Sequence, residues 1–306
     1  MIRWGLCCVF REAPIKFGDT TAAAIARLDR PAGREKLARL CRQNAASLAA
    51  AVEYCAEHGI GCFRVNSRIL PLCTHPQFGY RLEELPGGKE IVAQFRACRK
   101  AAKRRGLRLS FHPDQFVVLN SPRADVVEAS IRELEYHATV AEWIGADVIN
   151  IHAGGVFGNR AAALDAFAEN FARLSRPARS RLTIENDDKL FAPAQLLPLC
   201  RRLGIPLVYD VHHHRCLADG LSVAEATAEA LSTWNREPLF HISSPINGWD
   251  GPQPNRHHDE VDPRDFPRCW LPLDLTVEVE AKGKEPAVLK LKQAIDRRLR
   301  RRTSAW

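Results

Sequence analysis

The stretch Val148-Ile149-Asn150-Ile151-His152 shows the pattern on which the fold prediction depends. Its first four residues form a short run rich in branched apolar side chains, which is typical of a strand buried in a parallel sheet. The run ends at His152, a residue type that can bind a metal ion. We therefore predict a buried strand over residues 148–151 whose carboxyl end carries a functional group.

Similar runs recur along the chain and alternate with segments of helical periodicity. Together with the first stretch they predict eight strands, over residues 2–9, 62–65, 107–111, 148–151, 182–184, 207–209, 239–242 and 275–279. Residues 34–57 repeat apolar side chains at helical spacing, and a further helix is expected to begin at Ser121-Pro122, with Ser121 as its N-cap. Repeated βα units of this kind build a parallel sheet.

These units favour one α/β architecture, a single (β/α)8 TIM barrel over residues 1–306. An open doubly wound sheet is the competing architecture, but no GxGxxG motif follows the first strand. The basic C-terminal residues 297–306 are interpreted as a solvated helix end, with a phosphate-binding arm as the alternative.

Composition limits the class of protein. Of the 306 residues, 46% are hydrophobic and 26% are charged, which excludes a disordered, collagen-like or coiled-coil chain. The ten cysteines include no CxxC pair and are expected to be mostly buried free thiols. No run approaches the ~18 apolar residues of a membrane span, so a cytoplasmic protein without a membrane partner is expected. The net charge of +8 favours a polyanionic partner.

The third to the eighth predicted strands each end in a residue type that binds metal ions. These residues are His112, His152, Glu185, Asp210, His241 and Glu280. In a TIM barrel the carboxyl ends of the strands meet at one face, where active sites lie. Clustered carboxylates there are unfavourable unless a cation lies among them. Histidine nitrogen and carboxylate oxygen without thiolate predict divalent ions such as Zn²⁺ or Mn²⁺.

Further ligand types lie near this set in the sequence. His213 follows Asp210 by three residues, a long seventh loop contains His257, and His75 follows the second strand. Two of these histidines also have an ordinary interpretation: the run that contains His213 could be local compositional bias, and His75 could be a structural loop residue.

A cluster of divalent ions can activate water and bind phosphoryl oxygens, and for a basic protein the matching substrate is a nucleic-acid phosphodiester. Gln115 and Phe116 follow His112 at the same predicted face. The ring could replace lost base stacking in an opened duplex while the amide binds exposed bases. Alternatively, Phe116 belongs to the loop core and Gln115 is solvated.

With these residues assembled, the sequence resembles the UV damage endonuclease family, metal-dependent DNA repair barrels related to endonuclease IV. The resemblance covers residues 1–285. The motifs that carry it are Met1-Ile2-Arg3 with Gly5, Phe63-Arg64-Val65, Thr74-His75-Pro76, Leu109-Ser110-Phe111-His112-Pro113, Ile151-His152 with Gly154-Gly155, Glu185-Asn186-Asp187-Asp188, Asp210 with His213, His241-Ile242-Ser243-Ser244, and Glu278-Val279-Glu280-Ala281-Lys282-Gly283-Lys284-Glu285.

The resemblance implies an ATP-independent endonuclease that nicks damaged double-stranded DNA immediately 5′ to cyclobutane dimers and 6-4 photoproducts, with abasic sites as a further candidate lesion. The expected products carry 3′-hydroxyl and 5′-phosphate ends. Two to three divalent ions are implied, of which Mn²⁺ is the first expectation and Zn²⁺, Co²⁺ or Mg²⁺ are alternatives. A monomer is expected.

The resemblance also implies a role for each site residue. One ion would be held by His112, His152 and Glu185. A second would be held by Glu185, Asp210, His241 and Glu280. A third would be held by His213 and His257 with Asp259. His75 would be a further active-site histidine, and Gln115 and Phe116 would probe the lesion. From their place next to Glu280, Lys282 and Lys284 are expected to bind phosphate, and Lys282 is counted with the catalytic groups.

Two positions depart from the family pattern. Leu239 stands where some members carry a lysine modified to a carbamate, and Leu6 replaces an aromatic residue that some members carry. Two other functions stay open. A metal-dependent sugar isomerase or epimerase of the same barrel class would need fewer ligands and no basic surface. A DNA-binding protein with a structural metal would need a closed coordination shell.

Overall fold

A barrel of parallel strands forms the centre of the protein. The computed structural model describes residues 1–303, with side chains described as far as Arg300. Within this range the strands are β1 Ile2–Cys7, β2 Cys62–Val65, β3 Arg108–Phe111, β4 Val148–His152, β5 Leu182–Glu185, β6 Leu207–Val208, β7 Leu239–Ile242 and β8 Leu275–Val279. They pair in parallel in the order β6-β5-β4-β3-β2-β1-β8-β7. A bridge between Asp210 and His241 joins the two end strands, so the TIM-barrel prediction is confirmed.

Helices follow the strands and cover the outside of the barrel. They are α1 Ala22–Ala26, α2 Arg30–Glu57, α3 Gly88–Arg105, α4 Ala124–Ile144, α5 Arg160–Ala172, α6 Arg176–Arg179, α7 Pro193–Leu203, α8 Val211–Cys216, α9 Val223–Leu231 and α10 Lys284–Thr303. Residues 297–303 of the predicted basic tail continue α10, and residues 304–306 lie outside the described residues.

Several predicted boundaries differ from the structure by one to four residues, and two of the differences have a clear local reason. Strand β1 ends at Cys7 rather than at Val9, because Cys8 adopts a left-handed backbone with φ 68°. Helix α4 begins at Ala124 with Arg123 as its N-cap. The Ser121 hydroxyl does not cap the helix, since it accepts the Arg123 N–H at 3.2 Å and closes a turn before it.

Side chains inside the barrel form an apolar layer beneath a polar one. Cys62, Val148, Val208 and Leu239 are fully buried and form one small apolar cluster. Because side chains alternate along a strand, the residues two positions later face the same way. Those residues are Arg64, Asn150, Asp210 and His241. The apolar layer therefore closes the floor of a polar site at the carboxyl ends of the strands.

The cysteines agree with the prediction from composition. All ten cysteines are free thiols, and six of them are buried, so that prediction is confirmed. Among residues 1–303, none of the helices is long and apolar enough to cross a membrane.

His137 in α4 gives the fold a predicted sensitivity to acid. Its ring is fully buried, and burial lowers the pKa of His137 to about 4, although Nδ1 lies 2.8 Å from the Glu133 carbonyl oxygen. The unfolded chain binds this proton near pH 6.5, so stability is present above that pH and is lost as the pH falls towards 4. When the pH falls from 7.5 to 4.5, the unfolding free energy of the wild type should therefore decrease by roughly 2 to 3 kcal/mol more than that of His137→Gln.

Urea unfolding at the two pH values measures this difference. Acid effects at other sites are shared by both proteins and cancel in the comparison. Identical losses in the wild type and the variant would show that the buried ring does not control the acid response.

Candidate metal centre

Strand ends and one helix cap bring the predicted ligands together. Residues His152 and Glu185 close β4 and β5 and are register partners in neighbouring strands. Asp210 is the N-cap of α8, and its carboxylate accepts the backbone N–H of His213 at 2.8 Å. This cap brings the two groups to the same side of the first helical turn, which explains the three-residue spacing seen in the sequence.

Glu185 is the hub of the site, with 1% of its surface exposed. Its Oε2 lies 2.9 Å from His112 Nε2 and 3.9 Å from His152 Nε2. Its Oε1 lies 3.3 Å from His213 Nδ1 and 3.1 Å from His241 Nδ1. The two carboxylate oxygens therefore face different pairs of imidazoles, so Glu185 could contribute a ligand atom to more than one ion site.

Three groups of side chains in the described part of the chain could hold a metal ion, and Glu185 belongs to each. In every group the ligand atoms lie within 4.8 Å of one another. The groups are His112 with His152 and Glu185, Glu185 with Asp210 and His213, and Glu185 with His241 and Glu280.

Unpartnered buried atoms show that these residues fit a cation. His152 Nδ1, Glu185 Oε1 and Asp210 Oδ2 are buried without a hydrogen-bond partner among the described residues. His112 Nδ1 lies 3.0 Å from the Pro113 carbonyl oxygen, so a ring that donates its one proton there directs the Nε2 lone pair at Glu185. A lone pair facing a carboxylate oxygen is repulsive unless a proton or a metal ion lies between them.

The electrostatics of the cluster are dominated by burial and by its opposite charges. Burial acts to raise the pKa of Glu185, but the imidazoles, first His241 and then His152, hold it well below its ordinary value. Burial lowers the pKa of His152. For His241 burial acts downwards, yet Glu185 and Glu280 raise its pKa to about 10. Without metal the cluster therefore holds protons, which bound cations would displace.

Arg64 and Asn150 contact the cluster but have no role in the sequence-based prediction. Arg64 is buried, and its NH2 lies 2.6 Å from a carboxylate oxygen of Glu278 and 2.6 Å from one of Glu280. Asn150 donates to Glu185 Oε2 at 2.5 Å. The available signal was a charged or amide residue inside an apolar strand, as in Phe63-Arg64-Val65 and in Val148-Ile149-Asn150.

The residues predicted to hold a third ion are only partly assembled. The rings of His213 and His257 lie 6.1 Å apart, and His257 Nδ1 is 3.7 Å from Glu280 Oε2. Asp259 has a different neighbour, since its Oδ2 lies 3.8 Å from Arg11 NH1. Among the described residues, neither His257 nor Asp259 belongs to a group of three ligands.

The residues predicted to probe the lesion lie on the surface. Phe116 is 75% exposed and Gln115 is exposed, so the alternative that Phe116 belongs to the loop core is wrong. His75 lines the same groove as Phe116, with a volume of about 560 Å³, and stacks on Phe78. A second exposed aromatic ring, Phe157 after β4, was missed; it is 53% exposed.

The predicted phosphate-binding lysines lie beside the cluster. Lys282 and Lys284 line a cavity of about 400 Å³ with Arg64, His257 and Glu280. The loop is fixed by the backbone: Lys282 N–H donates to the His258 carbonyl at 3.1 Å, and Gly283 N–H donates to the Asp259 carbonyl at 2.8 Å. A Cβ at Gly283 would lie 2.4 Å from that Asp259 oxygen, so glycine is required there.

The sequence is similar to proteins described as UV damage endonucleases. A family model described as "UV-endonuclease UvdE" matches residues 2–303. The chain is 35% identical over 300 residues to the "UV DNA damage endonuclease" of Deinococcus radiodurans, covering 94% of each protein. It is 38% identical over 254 residues to the "UV-damage endonuclease" of Neurospora crassa, covering 77% of this chain but only 38% of that longer protein.

Solved structures give a similar result. The crystal structure of SacUVDE superimposes with a TM-score of 0.87 at 29% identity, over 97% of this chain and 99% of that chain. A D-psicose 3-epimerase superimposes with a TM-score of 0.52 at 16% identity, over 76% of this chain and 78% of that chain. The second match shows a shared fold alone and does not favour the epimerase alternative.

Proposed function

The chain belongs to the UV-endonuclease UvdE family, and from this premise we propose that it is a metal-dependent DNA repair endonuclease. It nicks duplex DNA immediately 5′ to cyclobutane dimers and 6-4 photoproducts, and abasic sites are a further substrate. The observation that carries the proposal is the hub carboxylate Glu185, both of whose oxygens face imidazoles of the three ligand groups.

The donor set supports Mn²⁺ or Zn²⁺ as the resident cation, because it offers imidazole nitrogen and carboxylate oxygen and its groups contain no thiolate. We take Mn²⁺ as the first choice, with two to three ions. When bound, such ions supply an activated water and neutralise charge on the phosphoryl oxygens.

The other side chains bind and orient the substrate. Lys282 and Lys284, in the cavity beside Glu280, attract the DNA phosphates to the metal centre. Asn150 fixes the orientation of Glu185 through its hydrogen bond to Oε2. Gln115 and Phe116 contact the damaged bases, and His75 lines the groove beside Phe116.

Nicking of defined duplexes tests this function. Purified protein with Mn²⁺ is incubated with end-labelled duplexes that carry one cyclobutane dimer, one abasic site or no lesion. We expect one nick, 5′ to the lesion, whose 3′ end a polymerase extends and whose 5′ end a ligase joins. Equal cutting of damaged and undamaged duplex, or a nick on the 3′ side, would refute the proposal.

Leu239 leads to a separate prediction about carbamylation. The leucine side chain has no amine to modify, and it is fully buried in the apolar layer with Cys62, Val148 and Val208. Nicking should therefore be independent of added bicarbonate, and the mass of the active protein should show no added carboxyl group. Bicarbonate-dependent nicking together with a carboxylated lysine would show that another lysine has this role.

A further inference from the structure

Glu278 is a buried carboxylate that the proposed function leaves without a role. It lies on β8, two residues before the proposed ligand Glu280. Its side chain faces the barrel interior and is 1% exposed. Its Oε2 accepts from Arg64 Nε at 2.6 Å, and its Oε1 accepts from the Ser110 hydroxyl. The same Oε2 lies 3.1 Å from His241 Nε2. Side chains from three other strands, β2, β3 and β7, thus surround one carboxylate.

The neighbouring strand makes room for this side chain. Gly5 on β1 is the register partner of Glu278. A Cβ at Gly5 would lie 2.8 Å from Glu278 Cγ and 3.1 Å from its Cα. A larger residue would push the carboxylate away from His241.

The neutral His241 ring has two tautomers, with the proton on Nε2 or on Nδ1. With the proton on Nε2, the ring donates to Glu278 and its Nδ1 lone pair faces Glu185 Oε1 at 3.1 Å and Glu280 Oε1 at 3.2 Å. With the proton on Nδ1, the Nε2 lone pair would accept from Arg64 NH2, which lies 2.9 Å away. Only the first arrangement offers a lone pair to the ligand group formed by Glu185, His241 and Glu280.

We propose that Glu278 is a positioning residue that holds the Nε2–H form of His241, so that Nδ1 is free to bind a metal ion. This inference rests on the proposed metal site. A carboxylate that accepts the second ring N–H of a metal-bound histidine fixes the ring orientation and makes the ligand more basic, and its loss typically weakens metal binding by about 10-fold to 100-fold. Glu278 on β8 is the register partner of His241 on the neighbouring strand β7.

Mn²⁺ binding to the full-length protein, measured by calorimetry at one fixed pH, tests the proposal. Glu278→Gln should weaken one class of Mn²⁺ sites by about 10-fold to 100-fold and leave the site of His112 and His152 unchanged. Glu278→Asp keeps the charge and should recover part of the affinity. If Glu278→Gln does not fold, Ser110→Ala removes a donor that holds the carboxylate and should cause a smaller loss in the same class of sites.

The chain provides a matched control at the other end of the barrel. Glu237 is also held by an arginine and a hydroxyl, since it accepts from Arg3 Nε at 2.7 Å and from Thr276 Oγ1 at 2.5 Å. Glu237→Gln should bind Mn²⁺ as the wild type does.

The tautomer gives a second readout, independent of activity. In Zn²⁺-loaded, ¹⁵N-histidine-labelled protein, long-range ¹H–¹⁵N spectra should show His241 protonated at Nε2 in the wild type, with this signal lost or shifted in Glu278→Gln. Wild-type affinity and an unchanged His241 signal in Glu278→Gln would overturn the proposal, as would an equal loss of affinity in Glu237→Gln. A wild type that binds no divalent ion would overturn the metal-dependent function itself, which is a different outcome.

Discussion

Replacing Glu185 with glutamine should lower nicking of irradiated duplex by a factor on the order of 10³ or more. The amide is the same size and can still accept the Asn150 hydrogen bond, so the barrel should keep its fold. It cannot carry the negative charge that four imidazoles surround, so the variant should hold divalent ions far more weakly than the wild type. Single-turnover nicking and the metal content of the purified variant measure the effect.

The control for this variant is Glu237→Gln, which removes a carboxylate at the opposite end of the barrel, where it is bound by Arg3 and Thr276. It should nick at the wild-type rate. Near-normal nicking by Glu185→Gln, or by metal-stripped protein in the presence of a chelator, would eliminate the metal mechanism while leaving the fold and the family membership untouched.

The parts of the fold and site that could be predicted are those with a local signal. Each strand is a short apolar run, and a polar ligand type at its end can be recognised without any knowledge of its partners. His112, His152, Glu185 and His241 were found in this way, and the structure brings them together around one carboxylate. Parallel strands force this result, because their carboxyl ends meet at one face of the barrel.

The parts that could not be predicted depend on contacts between distant positions. Glu278 and Arg64 are separated by 214 residues, and neither strand indicates that its charge will meet the other. Asp259 lies two residues after His257 in the loop between β7 and β8, yet its carboxylate lies near Arg11 on the loop after β1. The loop backbones that set these directions, such as the left-handed Cys8, have no signature in the residue type.

The double change Gln115→Ala, Phe116→Ala should weaken binding to irradiated duplex by a factor of roughly 5 to 150. This factor corresponds to the ~1 to 3 kcal/mol that one base stacked on an aromatic ring contributes to binding. These residues follow the ligand His112, but an amide and a phenyl ring cannot hold a cation strongly or supply a hydroxide. The exposure of the Phe116 ring, at 75%, leaves it free to stack on a base. A photoproduct stacks and pairs poorly, so its extrusion requires less energy than that of intact bases. Binding isotherms on irradiated and undamaged duplex, at one salt concentration, measure the effect.

This experiment should distinguish recognition of the lesion from binding to the DNA backbone. Binding to undamaged DNA depends on cationic side chains and on salt, and the double variant changes neither, so that affinity and the metal content should stay near the wild-type values. Lys282→Ala, beside Glu280, should do the reverse and weaken binding to both duplexes by similar factors, because a phosphate contact carries no information about the lesion. If the double variant instead loses affinity equally for both duplexes, the exposed ring contributes general contact area, and selection of the lesion must lie elsewhere on the barrel face, with the exposed Phe157 as the next ring to replace.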